Sequence, residues 1–114
     1  MIDWIALLTA IAMVESGCNP DAFNAAEQAV GLYQMRPLAL QDANDVAGTD
    51  FKSKDLGDTR VATAMLRAYC YRYLGGEPTI TDVIDLWQSG PNIMKANADY
   101  KTRVLNLYED RRTK

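Results

Sequence analysis

Apolar residues recur at helical spacing in five segments of the chain, and residues that start or stop helices bound each segment. The first segment runs between Asp3, which can cap a helix N-terminus, and Gly17. The other helices are predicted from Pro37 to about Val46, from Thr59 to Leu74, from Thr79 to Gly90, and from about Ala98 onward. Residues 21–30 predict a loop or a short turn of helix, and residues 49–57 predict a polar, irregular segment.

No segment shows a sustained alternation of apolar and polar residues, which is the period of a half-buried strand. The pattern therefore predicts an all-α domain with little or no sheet. The 114 residues, 48% of them hydrophobic, suffice to bury a core and fit one domain over residues 1–114.

The sequence contains no histidine, which excludes several kinds of catalytic site. The chain cannot form a Ser-His or Cys-His nucleophile pair, and it cannot carry out zinc catalysis that depends on histidine ligands. We expect no metal and no other cofactor. Any chemistry has to come from carboxylates, amides, hydroxyls and aromatic rings.

The charge balance and the apolar runs limit the partners of the chain. A formal net charge of −3 argues against nucleic acid, although Arg111, Arg112 and Lys114 form a small basic tip. The apolar run at residues 2–14 is too short to span a bilayer and lacks the flanks of a signal peptide. We expect a helix of the mature protein there, with no stable membrane insertion.

The two cysteines, Cys18 and Cys70, form no pattern that requires a bridge. Two cysteines are too few for a disulfide framework, and their spacing matches no metal-binding motif. A disulfide stays open, and two buried or half-buried thiols are the favoured alternative.

Glu15 is the first candidate for catalysis, because it lies in line with the apolar stripe of the first helix. Trp4, Leu8, Ile11 and Glu15 fall at i, i+4, i+7 and i+11, which places them on one face. The carboxylate then points toward the core or into a cleft, unless the helix frays at Ser16 and leaves it in solvent. Burial and the negative helix end both raise the pKa of a carboxyl, as a general acid at neutral pH requires.

Short motifs follow Glu15 in a fixed order along nearly the whole chain. They are Glu15-Ser16, Asn19-Pro20 with Ala22, Gly31-Leu32-Tyr33-Gln34 with Pro37, Tyr73 to Gly76, Trp87 to Pro91, and Tyr100 to Leu105. Together they resemble the signature of soluble lytic transglycosylases, members of the lysozyme-like superfamily that cut the glycan strands of bacterial peptidoglycan. The resemblance covers roughly residues 5–108 and implies a lysozyme-like helical domain with a substrate cleft.

The resemblance also implies roles for individual residues. Glu15 becomes the catalytic acid and then base, and Tyr100 the hydroxyl that positions it. Gln34, with the backbone of Leu32 and Tyr33, becomes part of the cleft wall that holds N-acetyl sugars. An amide can both donate to and accept from sugar hydroxyl and acetamido groups.

Three smaller positions complete this picture. Gly31 is expected to let the backbone approach the sugar closely. Asn24 stands where a serine is common in the family and keeps a polar group near the site. Ser16 is interpreted as a hydrogen bonder at the helix terminus rather than a reacting group.

The chain departs from the family pattern at three positions. Trp87 stands where the family has tyrosine, so a hydroxyl is lost while a surface for stacking on a sugar ring is kept. Gln88 replaces asparagine, and Tyr33 replaces methionine. Trp87 also ends the apolar stripe of its helix, which favours the core over the cleft, whereas Tyr33 and Gln34 are expected to line the cleft.

A second carboxylate would distinguish a hydrolase from a transglycosylase. Most glycosidases use two carboxyl groups, but a lytic transglycosylase needs only one, because the C6 hydroxyl of the substrate's own MurNAc attacks C1. Goose-type lysozymes, the hydrolytic relatives, carry aspartates before and after the Gly-Leu-Met-Gln segment. Here Arg36 stands two positions after Gln34, and Glu27 is the one candidate. A transglycosylase is therefore favoured over a muramidase, and a glycan-binding or structural virion or secretion-apparatus protein without turnover stays open.

The resemblance implies where the protein acts. Peptidoglycan glycan strands would be the partner, and the site of action the bacterial cell wall, in the periplasm or outside the cell. We expect no signal peptide and no wall-binding module, and therefore a monomeric, phage-encoded or secretion-associated lysin released by other means.

Overall fold

The five predicted helices are present in the computed structural model of the chain, which describes residues 1–112. They are α1 (Trp4–Ser16), α2 (Pro37–Ala47), α3 (Thr59–Leu74), α4 (Ile80–Ser89) and α5 (Ala98–Arg112). The prediction of an all-α fold is confirmed. Of the basic tip, Lys114 lies outside the described residues.

The helix ends follow the predicted local chemistry. The Asp3 side chain accepts a hydrogen bond from the N–H of Ala6, and that of Asp58 from the N–H of Arg60. Thr79 caps α4 in the same way. These side chains satisfy backbone donors that a helix leaves unpaired, which is why the boundaries could be predicted from sequence.

Residues 21–30 form a small β-hairpin where a loop or a turn of helix was expected. Strand β1 (Phe23–Asn24) pairs antiparallel with β2 (Ala29–Val30), Phe23 opposite Val30 and Asn24 opposite Ala29. With two residues each, the strands are too short to show an alternating pattern in the sequence. Residues 53–57 form a short 3₁₀ helix in the segment predicted to be irregular.

The core lies between α1 and the helices packed around it. Leu7, Ala10 and Ile11 of α1 are fully buried, and α1 packs against α5 while α2 packs against α3. The buried Tyr108 of α5 accepts a hydrogen bond from the N–H of Asp3 at 3.1 Å. Helix α5 therefore holds the start of α1, the helix that carries Glu15.

A half-buried ion pair joins α4 to α5. Lys101 Nζ lies 2.8 Å from Asp85 Oδ1, and the same oxygen accepts a hydrogen bond from the N–H of Ala96. Burial opposes ionisation of Asp85, but these donors dominate and hold the pKa of its carboxyl below its usual range. This contact fixes the start of α5, the turn that carries Tyr100.

Gly31 has a role in the fold, and the approach of its backbone to a sugar stays a prediction. It is buried between β2 and the 3₁₀ helix with a φ of +86°, and a Cβ built on it would lie 2.7 Å from the carbonyl oxygen of Leu56. A side chain there would meet both backbone strain and a backbone clash.

We expect Gly31→Ala to lower the free energy of unfolding by about 2 kcal/mol or more. Urea unfolding followed by circular dichroism measures the loss. Gly76→Ala is the matched control, because nothing lies within 4 Å of its added Cβ and its φ is not in the left-handed region. Equal stability of the two variants would contradict the close approach at Leu56.

Both cysteines are free thiols, Cys18 exposed and Cys70 buried. Burial raises the pKa of the Cys70 thiol to about 12, so it is inert at neutral pH. The favoured alternative of two thiols is confirmed, although Cys18 is more exposed than expected. Within residues 1–112, no helix has the length and apolar character to cross a membrane.

Candidate active site

Glu15 lies in the last turn of α1 with its side chain half-buried, as the apolar stripe predicted. The hydroxyl of Tyr100, in the first turn of α5, donates a hydrogen bond of 2.7 Å to Glu15 Oε2. The helix does not fray at Ser16, so the carboxyl is held instead of hanging in solvent. The pairing of Glu15 with Tyr100 that the resemblance implied is present.

Burial raises the pKa of the Glu15 carboxyl above its usual value of 4.5. The hydrogen bond from Tyr100 and the charge of Arg36 lower the pKa, and the charge of Glu27 raises it, without reversing the effect of burial. Burial and the Glu15 carboxylate also raise the pKa of the Tyr100 phenol, so it remains a hydrogen-bond donor. Glu15 can therefore keep a proton at a pH where an exposed glutamate has lost it.

Ser16 fixes the end of α1 against the loop that carries Gln34. Its Oγ donates to the carbonyl oxygen of Leu32 at 2.7 Å and accepts from the N–H of Asn19 at 3.1 Å. The prediction that Ser16 is a hydrogen bonder at the helix terminus is confirmed. Because Ser16 follows Glu15 directly in the chain, its hydrogen bond to Leu32 fixes the end of α1 that carries Glu15 against the loop that carries Gln34.

Gln34 is held in a left-handed conformation, with a φ of +55°. Its side-chain Nε2 donates to the carbonyl oxygens of Gly31 and Ala22 at 3.0 and 3.2 Å. The side-chain oxygen has no hydrogen-bond partner among residues 1–112, and it is not a buried, unsatisfied atom. An acceptor on a rigid, strained turn is therefore available to a ligand donor.

A cleft of about 390 Å³ opens beside Gln34, and we call it the Gln34 cleft. Its described lining residues are Glu27, Gln34, Arg36, Pro37, Leu38, Ala39, Tyr69, Trp87, Gly90 and Pro91. Glu15 does not line it, but the charges of Arg36 and Glu27 at its rim act on the Glu15 carboxyl. The cavity has the mixed apolar and polar lining of a ligand site, and its two charged lining residues act electrostatically on the acid candidate.

Trp87 belongs to the core and forms part of the cleft wall with one surface. It is 7% exposed, its Nε1 donates to the carbonyl oxygen of Tyr33 at 2.9 Å, and its ring packs edge-on to Tyr69. The interpretation that favoured the core is confirmed.

The Tyr33 side chain does not line the cleft, contrary to the sequence prediction. It is 5% exposed, and its hydroxyl shares a hydrogen bond with Thr63 Oγ1 at 2.9 Å. Tyr33 stands between Gly31 and Gln34, whose left-handed backbone turns it inward onto α3. The backbone carbonyl oxygen of Tyr33 accepts a hydrogen bond from Trp87, and that of Leu32 accepts one from Ser16.

Asn24 and Gln88 make local structural contacts. The exposed Asn24 accepts hydrogen bonds from the N–H groups of Ala26 and Glu27 within the hairpin turn. Gln88 Oε1 accepts from the N–H of Asn97 at 2.6 Å and supports the loop before α5. Neither lines the Gln34 cleft, and a role in sugar binding stays a prediction for both.

Arg36 and Tyr69 line the cleft, although neither was predicted from the sequence to be a site residue. Arg36 was considered only because it stands where a goose-type lysozyme has an aspartate. In the structure, it lines the cleft and forms an ion pair with Glu27. Tyr69, a residue of α3, also lines the cleft. The position of Arg36, two residues after Gln34, was the available signal. Within residues 1–112, no group of three acidic or cysteine side chains could hold a metal ion.

We expect Tyr100→Phe to lower an activity that depends on Glu15 by about ten- to hundredfold, because the carboxyl loses the group that orients it. The variant also removes a hydrogen bond that lowers the Glu15 pKa. If Glu15 acts as the acid, the alkaline limb of the pH-rate profile therefore moves to higher pH. A loss of rate with an unmoved limb would show that Tyr100 is merely structural.

Residues 2–53, just under half of the chain, match the family model described as a lysozyme-like domain. The matched segment carries Glu15, Glu27 and Gln34, whereas Trp87 and Tyr100 lie beyond it. No curated protein matches the chain. The match and the mostly helical fold together support placing this protein in the lysozyme-like superfamily.

Proposed function

We propose that this protein is a peptidoglycan lytic transglycosylase that cleaves the MurNAc-GlcNAc β-1,4 bond with Glu15 as its single acid and base. The observation that carries the proposal is the half-buried Glu15 carboxyl, which Tyr100 holds and on which the charges of two lining residues of the Gln34 cleft, Arg36 and Glu27, act. The match to a lysozyme-like domain suggests peptidoglycan-related glycan cleavage in general. The finer assignment rests on the number of carboxylates at the site.

The protonated Glu15 donates its proton to the glycosidic oxygen as the bond from that oxygen to C1 of MurNAc breaks. Positive charge develops on the sugar ring, and the substrate's acetamido group and fixed dipoles such as that of Gln34 stabilise it. The C6 hydroxyl of the same MurNAc then attacks C1 and closes a 1,6-anhydro ring. Its proton returns to Glu15, which ends the cycle in its starting state.

Glu27 is poorly suited to serve as the second carboxylate of a hydrolase. It is about half exposed and accepts a hydrogen bond from Arg36 Nε at 2.9 Å. One of its two carboxylate oxygens is therefore already occupied by a charged donor. A muramidase that uses Glu27 is therefore the second candidate, followed by a glycan-binding protein without turnover.

Analysis of the released muropeptides by mass spectrometry tests the proposal. Digestion of purified peptidoglycan is expected to give products that end in 1,6-anhydro-MurNAc. Reducing ends would identify a muramidase and redirect attention to Glu27. Intact strands that still bind the protein would identify a binding protein.

The setting of this reaction is part of the proposal. We expect the protein to act as a monomer on the bacterial cell wall, from the periplasm or from outside the cell. A phage or secretion-associated origin fits this setting.

A further inference from the structure

The rim of the Gln34 cleft carries one pair of opposite charges. Among the described lining residues, Arg36 is the only cation and Glu27 the only anion. Their side chains are 46% and 51% exposed. An ion pair this open to water adds little stability, so another anion can replace Glu27 at little cost.

Most of the Arg36 guanidinium is free to bind. Its Nε donates to Glu27, whereas its two terminal amino groups have no hydrogen-bond partner within residues 1–112. These two groups form a fork that matches the two oxygens of a carboxylate. Arg36 is the N-cap of α2, but its side chain makes no capping hydrogen bond. The side chain is therefore not needed to start the helix.

We propose that Arg36 makes this site selective for glycans that bear carboxylates, by binding a carboxylate substituent of the sugar in the Gln34 cleft. The inference rests on the proposed function. In a peptidoglycan strand, the carboxylate comes from the lactyl group of MurNAc or from the stem peptide attached to it. A chain of N-acetylglucosamine has neither.

The charge of the whole chain makes a local cation useful. With a formal net charge of −3, the protein has no long-range attraction to an anionic wall. A single cation at the rim of the cleft provides a local attraction for the carboxylate substituent. This attraction adds specificity rather than general affinity. Glu27 pairs with Arg36 through Nε, and the substrate carboxylate competes with Glu27 for the charge of the guanidinium.

Binding measurements in a Glu15→Gln background, which prevents turnover, test the inference. The ligands are an N-acetylglucosamine hexamer, a peptide-free hexamer of alternating GlcNAc and MurNAc, and the same hexamer with stem peptides. We expect Arg36→Gln to weaken binding of a carboxylate-bearing hexamer about fivefold or more and to leave the neutral hexamer unchanged. Arg36→Lys, which keeps the charge and loses the fork, is expected to lie in between.

Two matched variants sharpen the test. Arg60→Gln removes the same charge from a similar exposed ion pair, with Asp58 at 3.2 Å, and is expected to change no affinity. Glu27→Gln removes the competitor of the substrate carboxylate and is expected to strengthen binding of the anionic hexamers. Weaker binding of these hexamers by Glu27→Gln would contradict the exchange.

The three ligands separate the possible results. A loss confined to the peptide-free hexamer identifies the lactyl carboxylate, and a loss confined to the stem-peptide hexamer identifies the peptide; either result, or both, supports the inference. Equal effects on all three hexamers, or no effect, overturn it and leave the proposed function standing. If the background protein binds none of the three, the proposed function itself fails.

Discussion

Glu15→Gln is expected to reduce cell-wall lysis by about a thousandfold. The amide has nearly the shape of the carboxyl and can still accept the hydrogen bond from Tyr100, but it has no proton to give the leaving oxygen and cannot take one back. Turbidity of a cell-wall suspension measures the loss. Unchanged lysis would remove Glu15 from the mechanism.

The same substitution is expected to keep or increase stability. Because the pKa of Glu15 is raised in the folded state, the unfolded chain ionises first as pH rises above the usual value of 4.5. Folding stability then falls until the folded-state pKa is passed and stays reduced above it. Glu15→Gln lacks this penalty, so the free energy of unfolding should depend less on pH in that window and at neutral pH should equal or exceed that of the wild type.

Glu77→Gln is the matched control for both measurements. Glu77 is exposed and lies beside Trp4, at the end of α1 opposite to Glu15. We expect normal lysis and a free energy of unfolding close to that of the wild type. A loss of activity in this variant would point to charge in general rather than to an acid at Glu15.

Trp87→Ala is expected to lower the free energy of unfolding by about 3–5 kcal/mol. The substitution empties a site that is only 7% exposed, removes one of the aromatic partners of Tyr69 and leaves the carbonyl oxygen of Tyr33 without its donor. Losses of this size approach the whole stability of many small domains. Chemical unfolding followed by near-ultraviolet circular dichroism measures the effect.

Two variants separate the parts of this effect. Trp87→Phe keeps most of the apolar surface and loses the hydrogen bond, for an expected loss of about 1–2 kcal/mol. Trp4→Ala removes the same residue type from a partly buried position, where Arg67 lies 3.9 Å from the ring centroid, and is expected to cost less than Trp87→Ala. A stable Trp87→Ala protein with reduced glycan binding would mean that the ring serves the cleft alone.

The helices could be predicted because their signals are local. The caps at Asp3, Asp58 and Thr79 act on backbone donors two or three residues away, and the apolar stripes repeat within a few turns. The two-residue strands of the hairpin offered no comparable signal. The pairing of these strands depends on hydrogen bonds between Phe23–Asn24 and Ala29–Val30, which the periodicity of apolar residues does not reveal.

The candidate site divides in the same way. The position of Glu15 followed from the stripe of α1, and its partner Tyr100, 85 residues later, followed only from the resemblance to a known signature. The inward turn of Tyr33 was not predictable, because it depends on the left-handed backbone at Gln34 and a partner on α3. The role of Gly31 likewise depends on a carbonyl oxygen that lies 25 residues away in the chain, at Leu56.

The five helices and the placement of one carboxylate in line with an apolar stripe could be predicted from the amino-acid sequence, since both arise from neighbours within a helix. The surroundings of that carboxylate became known from the folded structure. Burial of Glu15, the Gln34 cleft and the Arg36–Glu27 pair at its rim depend on residues from separate elements meeting in space. The physical reason is that a pKa and a cleft are properties of an environment, and distant segments of the chain build that environment together.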